Sequence, residues 1–241
     1  MVAGGSFFFP PVDKLPTMTA RTPDRHSSVV AASVVLSLAG LIAGCQSTYY
    51  AIWQKLGYEK RDILVSRVEG ARDAQTAAKQ QFVSTMDQFK QLTNFNGGDL
   101  EAEYDKLSAQ YDLAKSRADD VSKKIAAVDS VAQAMFKEWK DELSQYQDAN
   151  LRAKSQQELD DSKQRYAELY QMMKKSEAQM PPVLGAFHDQ VLFLKHNLDA
   201  AAISSLRETA AGIDTNVQQL VQQMEASINE ANAFIDNLKK S

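Results

Sequence analysis

Cysteine occurs once in 241 residues, at Cys45, so no intramolecular disulfide can form. A small exported domain held by a disulfide framework is thereby excluded. Proline and glycine are nearly as scarce: beyond residue 45 only Pro181, Pro182 and six glycines remain. Between Asp99 and Met180 neither type occurs across 82 positions. Strands and loops need frequent turn residues, so this interval excludes a β-rich fold and favours long helices. Histidine is also rare, with only His188 and His196 beyond residue 45. Eight positions apart on a helix, they stand about two turns apart and some 80° around the axis, poor geometry for sharing one metal ion. No Glu-x-x-His pair, Gly-x-Ser-x-Gly elbow or glycine-rich phosphate loop is present. The neighbouring carboxylates Asp119–Asp120 and Asp160–Asp161 diverge by about 100° on a helix and read as solvated faces. The expectation is no catalytic residue, no metal and no cofactor, and hence no enzyme. With 27 basic against 31 acidic residues there is no concentrated basic charge, and a nucleic-acid partner is not expected.

What the chain does have begins at that single thiol. Residues 41–45 read Leu-Ile-Ala-Gly-Cys, and an uncharged, mostly apolar run from Ser27 to Gly44 precedes the cysteine. Arg21 and Arg25 flank the run on its N-terminal side. A basic flank, a short apolar stretch and small residues at a cleavage point are the layout of a secretory signal. Small residues leading directly into cysteine have the form of a lipobox, in which lipid is attached to the Cys45 sulfur and cleavage frees its amine. A transmembrane helix is the alternative, but a span needs about 20 apolar residues. Only 16 lie between Val29 and Gly44, and Ser33 and Ser37 dilute them. Residues 1–44 are thus read as a lipoprotein signal peptide. Met18 opens a more compact leader, which leaves residues 1–17 as a candidate mis-assigned start. Removal of the leader leaves 197 residues with 24 basic and 29 acidic side chains, a net charge of −5. That length suits a single domain at 45–241. Gln46 stands where lipoproteins retained in the inner membrane often carry aspartate. The outer membrane is therefore favoured, with the chain facing the periplasm of a bacterial envelope.

Hydrophobic periodicity sets the fold class. Alternating steps of four and three from Leu100 through Leu107, Ala114, Val121, Ile125, Val128 and Met135 to Trp139 meet 12 apolar or aromatic residues without exception. A second series runs from Ile203 through Leu206, Ile213, Val217, Leu220, Met224 and Ala231 to Leu238, with Ser227 its one polar member. A period of 3.5 keeps a seam facing a partner helix. The class is all-α: an elongated antiparallel bundle or coiled coil of three to four long helices, whose seams fold the chain on itself or pair it with a partner. The first helix spans about 50–95 and ends at Asn96-Gly97-Gly98, with Asp99 as the next N-cap. The second spans 99–180; its seam loses register between Tyr146 and Leu151, so either it continues through an irregularity or Asp148-Ala149-Asn150 makes a turn. A continuous helix is preferred. Pro181-Pro182 breaks the chain, because proline disfavours helical geometry in the residue before it but suits a first turn. The third and fourth helices then span 182–197 and 200–239, with Asp199 a candidate cap.

Two segments are denser in large side chains than a seam requires. Phe187 to Leu198 carries Val191, Leu192, Phe193 and Leu194 in succession, covering all sides of a helix. Burial among neighbouring helices is the default. The functional alternative is a partner-binding surface of Phe187, Val191, Phe193, Leu194 and His196. Tyr49, Tyr50, Trp53 and Tyr58 follow the anchor and suit either a membrane interface or packing inside the first helix.

Four stretches, Phe95–Glu101 (Phe-Asn-Gly-Gly-Asp-Leu-Glu), Phe136–Leu143 (Phe-Lys-Glu-Trp-Lys-Asp-Glu-Leu), Pro182–Leu198 and Met224–Ile235, together resemble a bacterial lipoprotein family known only as a domain of unknown function. The segment Asp-Gln-Val-Leu-Phe-Leu-Lys-His-Asn-Leu is the most specific of them. The resemblance covers nearly all of the mature chain and implies an all-helical envelope protein with no catalytic residues to carry over. The functional expectation is a scaffold or protein-interaction module, tied to a membrane by lipid and engaging a protein partner or itself. A homo-oligomeric spacer is one alternative. A ligand-binding or enzymatic site around His188, Asp189, Lys195, His196 and Asn197 is another.

Overall fold

A computed structural model describes residues 60–240, excluding the side chain of Lys240. The leader, Cys45 and the aromatic residues Tyr49–Tyr58 lie outside the described residues. Among the described residues four α-helices follow one another: α1 (Lys60–Thr93), α2 (Leu100–Glu142), α3 (Ala149–His196) and α4 (Ala200–Lys240), with a 3-10 turn at Leu143–Gln145. Helix α1 packs on α2 and α4, and α3 packs on the same two. Sequential neighbours joined by short turns run antiparallel, so the bundle goes up, down, up and down around a common core. No strand occurs among the described residues. The all-α antiparallel bundle expected from periodicity is what is found.

The seams are the core. Leu107, Ala114, Val121, Ile125, Val128 and Met135 of α2 are buried, as are Ile203, Leu206, Ile213, Val217, Leu220 and Met224 of α4. Helix α1 contributes Leu64, Val68, Ala71, Ala78, Phe82 and Phe89, and α3 contributes Leu159, Leu169, Met173, Met180 and Phe187. Across the diagonal, Phe89 of α1 meets Phe187 of α3 edge to face at 6.3 Å. All four seams therefore close within one chain.

The helix ends follow their capping residues. Helix α1 stops at Thr93, whose carbonyl accepts from Arg207 Nε of α4 at 2.5 Å. Gly97 and Gly98 then take φ of 132° and 125°, a region that side chains disfavour. Asp99 caps α2, accepting from the Ala102 amide at 3.0 Å, and Asp199 caps α4 through the Ala202 amide at 2.8 Å.

Two boundaries differ from the sequence expectation. The preferred continuous helix over 99–180 is interrupted: α2 ends at Glu142, and Asp148 caps α3 by accepting from the Asn150 and Leu151 amides at 2.7 and 3.2 Å. The lost register at Tyr146–Leu151 marks a turn, which lets α3 fold back on α2 rather than extend it. Conversely, the break expected at Pro181-Pro182 does not exist, and α3 runs through both prolines. Each proline lacks an N–H and so leaves a carbonyl four residues earlier without its helical donor, here those of Glu177 and Ala178. Both prolines are on the exposed face, where water can serve those carbonyls. On the opposite face Met173, Ser176, Met180, Val183 and Phe187 keep an unbroken buried stripe. Packing along that stripe outweighs the local penalty of about 3 kcal/mol for proline within a helix.

One polar layer of the core bridges three helices. Gln75, Ser176 and Ser227 are fully buried, on α1, α3 and α4. The Gln75 amide donates to Ser176 Oγ at 2.8 Å, and the Ser227 hydroxyl donates to Gln75 Oε1 at 3.0 Å. Ser176 in turn donates to the Met173 carbonyl at 2.9 Å. The single polar member of the α4 seam is thus one third of a bridge joining three helices.

Two outcomes follow for stability. Gln75→Ala strips partners from two buried hydroxyls and opens a cavity, and urea unfolding should show a loss of about 2–3 kcal/mol. The paired change Pro181→Ala, Pro182→Ala restores two helical donors on an exposed face. It should raise the urea midpoint, by about 1–3 kcal/mol in stability.

Candidate functional site

Between α2 and α3 lies an open groove with a volume of about 880 Å³. Asp129, Gln133 and Phe136 supply its α2 wall, spaced four and three residues apart so that all three share one face. Lys163, Tyr166, Tyr170 and Lys174 of α3 form a matching stripe at steps of three, four and four. Phe136 and Tyr166 are themselves buried, while Asp129, Gln133, Lys163, Tyr170 and Lys174 flank them toward solvent.

Tyr166 organises the groove. Its hydroxyl donates to Asp129 Oδ1 at 2.6 Å, across 37 residues of sequence, and Gln133 Nε2 donates to the same oxygen at 3.3 Å. Its ring meets Phe136 of α2 edge to face at 5.6 Å, stacks on Tyr170 at 5.8 Å and 22°, and lies 6.4 Å from Phe234 of α4. Three helices therefore meet at one phenol. Burial, then the hydrogen bond and negative charge of Asp129, push the Tyr166 pKa far above the ordinary phenol value. Such a phenol stays protonated throughout the physiological range, which suits a rigid strut and not a proton shuttle. At the far end of the groove the Lys174 ammonium pairs with Glu177. That contact is the main cause of its raised pKa, so Lys174 stays charged.

The residues singled out from sequence are divided by the fold. Phe187, Val191 and Leu194 are core residues and cannot form an interaction surface. Of that proposed surface only Phe193 and His196 reach solvent, Phe193 at 40% exposure beside Leu192 at 49%. The succession Val191–Leu194 is not enclosed on all sides, because α3 is one of four equivalent walls and not a central helix.

The alternative site at 188–197 does not assemble either. His188 is exposed and rests against the Tyr111 ring at 5.7 Å, with the Asp189 carboxylate 3.8 Å away. Asn197 closes the end of α3, its amide side chain donating to the Phe193 carbonyl at 2.8 Å. Lys195 and His196 point to solvent. No group of three or more His, Cys, Asp or Glu residues that could hold a metal occurs among the described residues. Nor is any of their helices long and apolar enough to cross a membrane.

Fold and groove together define an antiparallel four-helix bundle with an aromatic and basic cleft on one face. The chain belongs to DUF2959, a family of proteins of unknown function, whose profile matches residues 49–238. No curated protein matches the sequence.

The groove was hidden from sequence reasoning because its two stripes come from different helices. Each is a regular helical face, and the only local signal was the Tyr166–Tyr170 pair at i and i+4.

Tyr166→Phe deletes a hydrogen bond to a carboxylate and should destabilise the bundle by about 1.5–3 kcal/mol. Because the folded-state pKa is raised, the contribution of the phenol is intact below about pH 10, the unfolded value, and fades as pH climbs beyond it. The stability gap between wild type and Tyr166→Phe should therefore narrow above about pH 10 in denaturant titrations, and a constant gap would refute the coupling.

Proposed function

We propose that this protein is a lipid-anchored component of the bacterial envelope, tethered at Cys45, whose bundle serves as a helical scaffold or protein-interaction module. One observation carries the choice of module over homo-oligomeric spacer: the four seams are covered within a single chain. A spacer built by coiled-coil pairing needs a seam left open for a second copy, and here Leu64, Phe82, Ile125, Leu169 and Leu220 all face partners from the same chain.

The bundle also has two distinct ends. The chain enters α1 at Lys60, which pairs with Glu138 near the end of α2. The α3–α4 turn lies at the other end, about 50 Å away along the 34 residues of α1. Leu192 and Phe193 are exposed toward that end, as is Leu198 in the turn, at 41%. These exposed apolar side chains are the surface the bundle offers to a protein partner. The favoured membrane is the outer one, from Gln46 beside the lipidated cysteine.

Cells grown with a labelled fatty acid should label the wild-type protein, and Cys45→Ser should abolish the label and release the chain from the membrane fraction. Persisting membrane association without label would overturn the anchor. Light scattering of a soluble form beginning after Cys45 should return a monomer mass; a stable dimer would favour the spacer.

A further inference from the structure

We infer that Asn96 is a site of spontaneous covalent conversion: its side-chain amide cyclises onto the Gly97 nitrogen, and the ring opens with water to an isoaspartyl or aspartyl residue. The inference rests neither on the anchor at Cys45 nor on the role of the bundle as an interaction module.

The chemistry sets three requirements. The backbone nitrogen after the asparagine loses its proton to base and attacks the side-chain carbonyl carbon Cγ. A new N–Cγ bond forms, the Cγ–Nδ2 bond breaks, and Nδ2 leaves as ammonia with the proton. The resulting succinimide takes up one water. Opening at the main-chain carbonyl leaves the chain running through Cγ as isoaspartate, and opening at Cγ restores an ordinary aspartyl peptide. Nothing is oxidised or reduced. The nitrogen must therefore be free of hydrogen bonding, the side chain free to turn toward it, and the following residue small enough not to crowd the attack.

Of eight asparagines, Asn96 alone meets all three, and it is the one that glycine follows. It lies in the loop between α1 and α2 and is exposed, as is Gly97. Among the described residues neither the Asn96 side chain nor the Gly97 amide has a hydrogen-bond partner. The space where Gly97 lacks a Cβ holds no neighbouring atom within 4 Å. The other asparagines are held. Asn150, Asn216, Asn229, Asn232 and Asn237 are inside helices, where the next amide is committed to the helical ladder or, after Asn150, to Asp148 Oδ1. Asn94 donates its side-chain amide to the Lys90 carbonyl at 3.0 Å, and the Phe95 amide donates to the Leu92 carbonyl at 3.1 Å. The Asn197 side chain is tied to the Phe193 carbonyl at 2.8 Å, and the bulkier Leu198 follows it.

Conversion replaces a neutral amide by a carboxylate, and the isoaspartyl product lengthens the backbone by one carbon. The new charge falls just before the Asp99 cap of α2, close in sequence to Glu101 and Glu103. Negative charge near a helix N-terminus is not destabilising, and no core contact involves this exposed loop residue. The bundle therefore stays folded while the charge and length of its α1–α2 loop change with age.

The full-length protein, aged at neutral and at mildly alkaline pH, should be cut at lysine and the 91–106 peptide sequenced by mass spectrometry with electron-transfer fragmentation, which separates isoaspartate from aspartate. A synthetic 91–106 peptide aged alongside supplies the unrestrained rate. Conversion at Asn96 should run within about tenfold of the free peptide, at least about tenfold faster than at Asn94 or Asn197, and faster at the higher pH. Asn96→Gln should abolish isoaspartate in this peptide while leaving the thermal unfolding midpoint unchanged. An Asn96 that stays amidated after the free peptide has converted, equal rates at Asn94 or Asn197, or undiminished isoaspartate in Asn96→Gln would each overturn the inference.

Discussion

Gln75 sits where an apolar residue would otherwise be, and the mutual alignment of α1, α3 and α4 depends on it. Four seams of similar apolar residues, each repeating every 3.5 positions, bury nearly as well when one helix slides by a heptad, about 10 Å along its neighbour. Apolar burial is strong, about 1.5–3 kcal/mol for each large side chain, but it is not directional. The bridge from Gln75 to Ser176 and Ser227 is directional. Seven residues either side of Ser176 stand Leu169 and Val183, and either side of Ser227 stand Leu220 and Phe234. A heptad slip of α3 or α4 would therefore set the buried amide against hydrocarbon, stranding polar groups at a cost of several kcal/mol. The polar layer contributes little net stability beyond what an apolar one would. It stabilises one register over its rivals.

Helix α2 is tied to the same frame by other bonds: the Gln81 amide donates to Gln110 Oε1 at 2.7 Å, and the Thr85 hydroxyl lies 3.2 Å from the Gln110 carbonyl. The hydrogen bond from Tyr166 to Asp129 needs α2 and α3 aligned to within an ångström or so, since its two partners are 2.6 Å apart and sit on rigid helices. The ion pairs along the α1–α4 contact need the same alignment. Lys79 meets Glu225 at 3.2 Å, Lys90 meets Asp214 at 2.6 Å and Lys239 meets Glu69 at 3.0 Å. These part-exposed pairs add between nothing and about 1 kcal/mol each. They are consequences of the register more than causes of it.

The sequence made the helices and their seams legible because both are local: a period of 3.5, a cap at Asp99 and a pair of glycines are readable within a few residues. Ser227 even showed itself as the one polar position in its series, although its partners on α1 and α3 could not be named. The two errors of boundary share one cause, which is that local propensity was weighed without knowing the face. Pro181 and Pro182 read as a stop, yet on the solvated side of a helix with an intact buried stripe their penalty is affordable. Asp148-Ala149-Asn150 reads as a candidate turn set second to a continuous helix, yet the loss of seam register around it is the better signal, because a helix that must pack cannot change its buried face midway. Phe193 and Leu194 illustrate the same limit: adjacent in sequence and alike in chemistry, one faces solvent and the other the core.

The groove shows why a site can be wholly encoded and still not be readable. Asp129 and Tyr166 are unremarkable singly, an acidic residue after a seam position and an aromatic residue on one. Their meaning appears only when the turn at Leu143–Asp148 folds α3 back along α2. Had α2 and α3 formed one continuous rod, these residues would be about 55 Å apart, 37 residues at 1.5 Å each, and no cleft would exist. The same turn places Lys163 and Lys174 along the rim and Phe136 opposite the tyrosine stack. A bundle that needs every seam for its own closure has no apolar stripe left for recognition. What remains for a surface cleft is the set of positions flanking the seams, such as Asp129, Gln133 and Lys163. Tyr166 belongs to both, since its ring is buried among three helices and its hydroxyl holds Asp129 at the edge of the cleft, so the contact that shapes the groove is also part of the core.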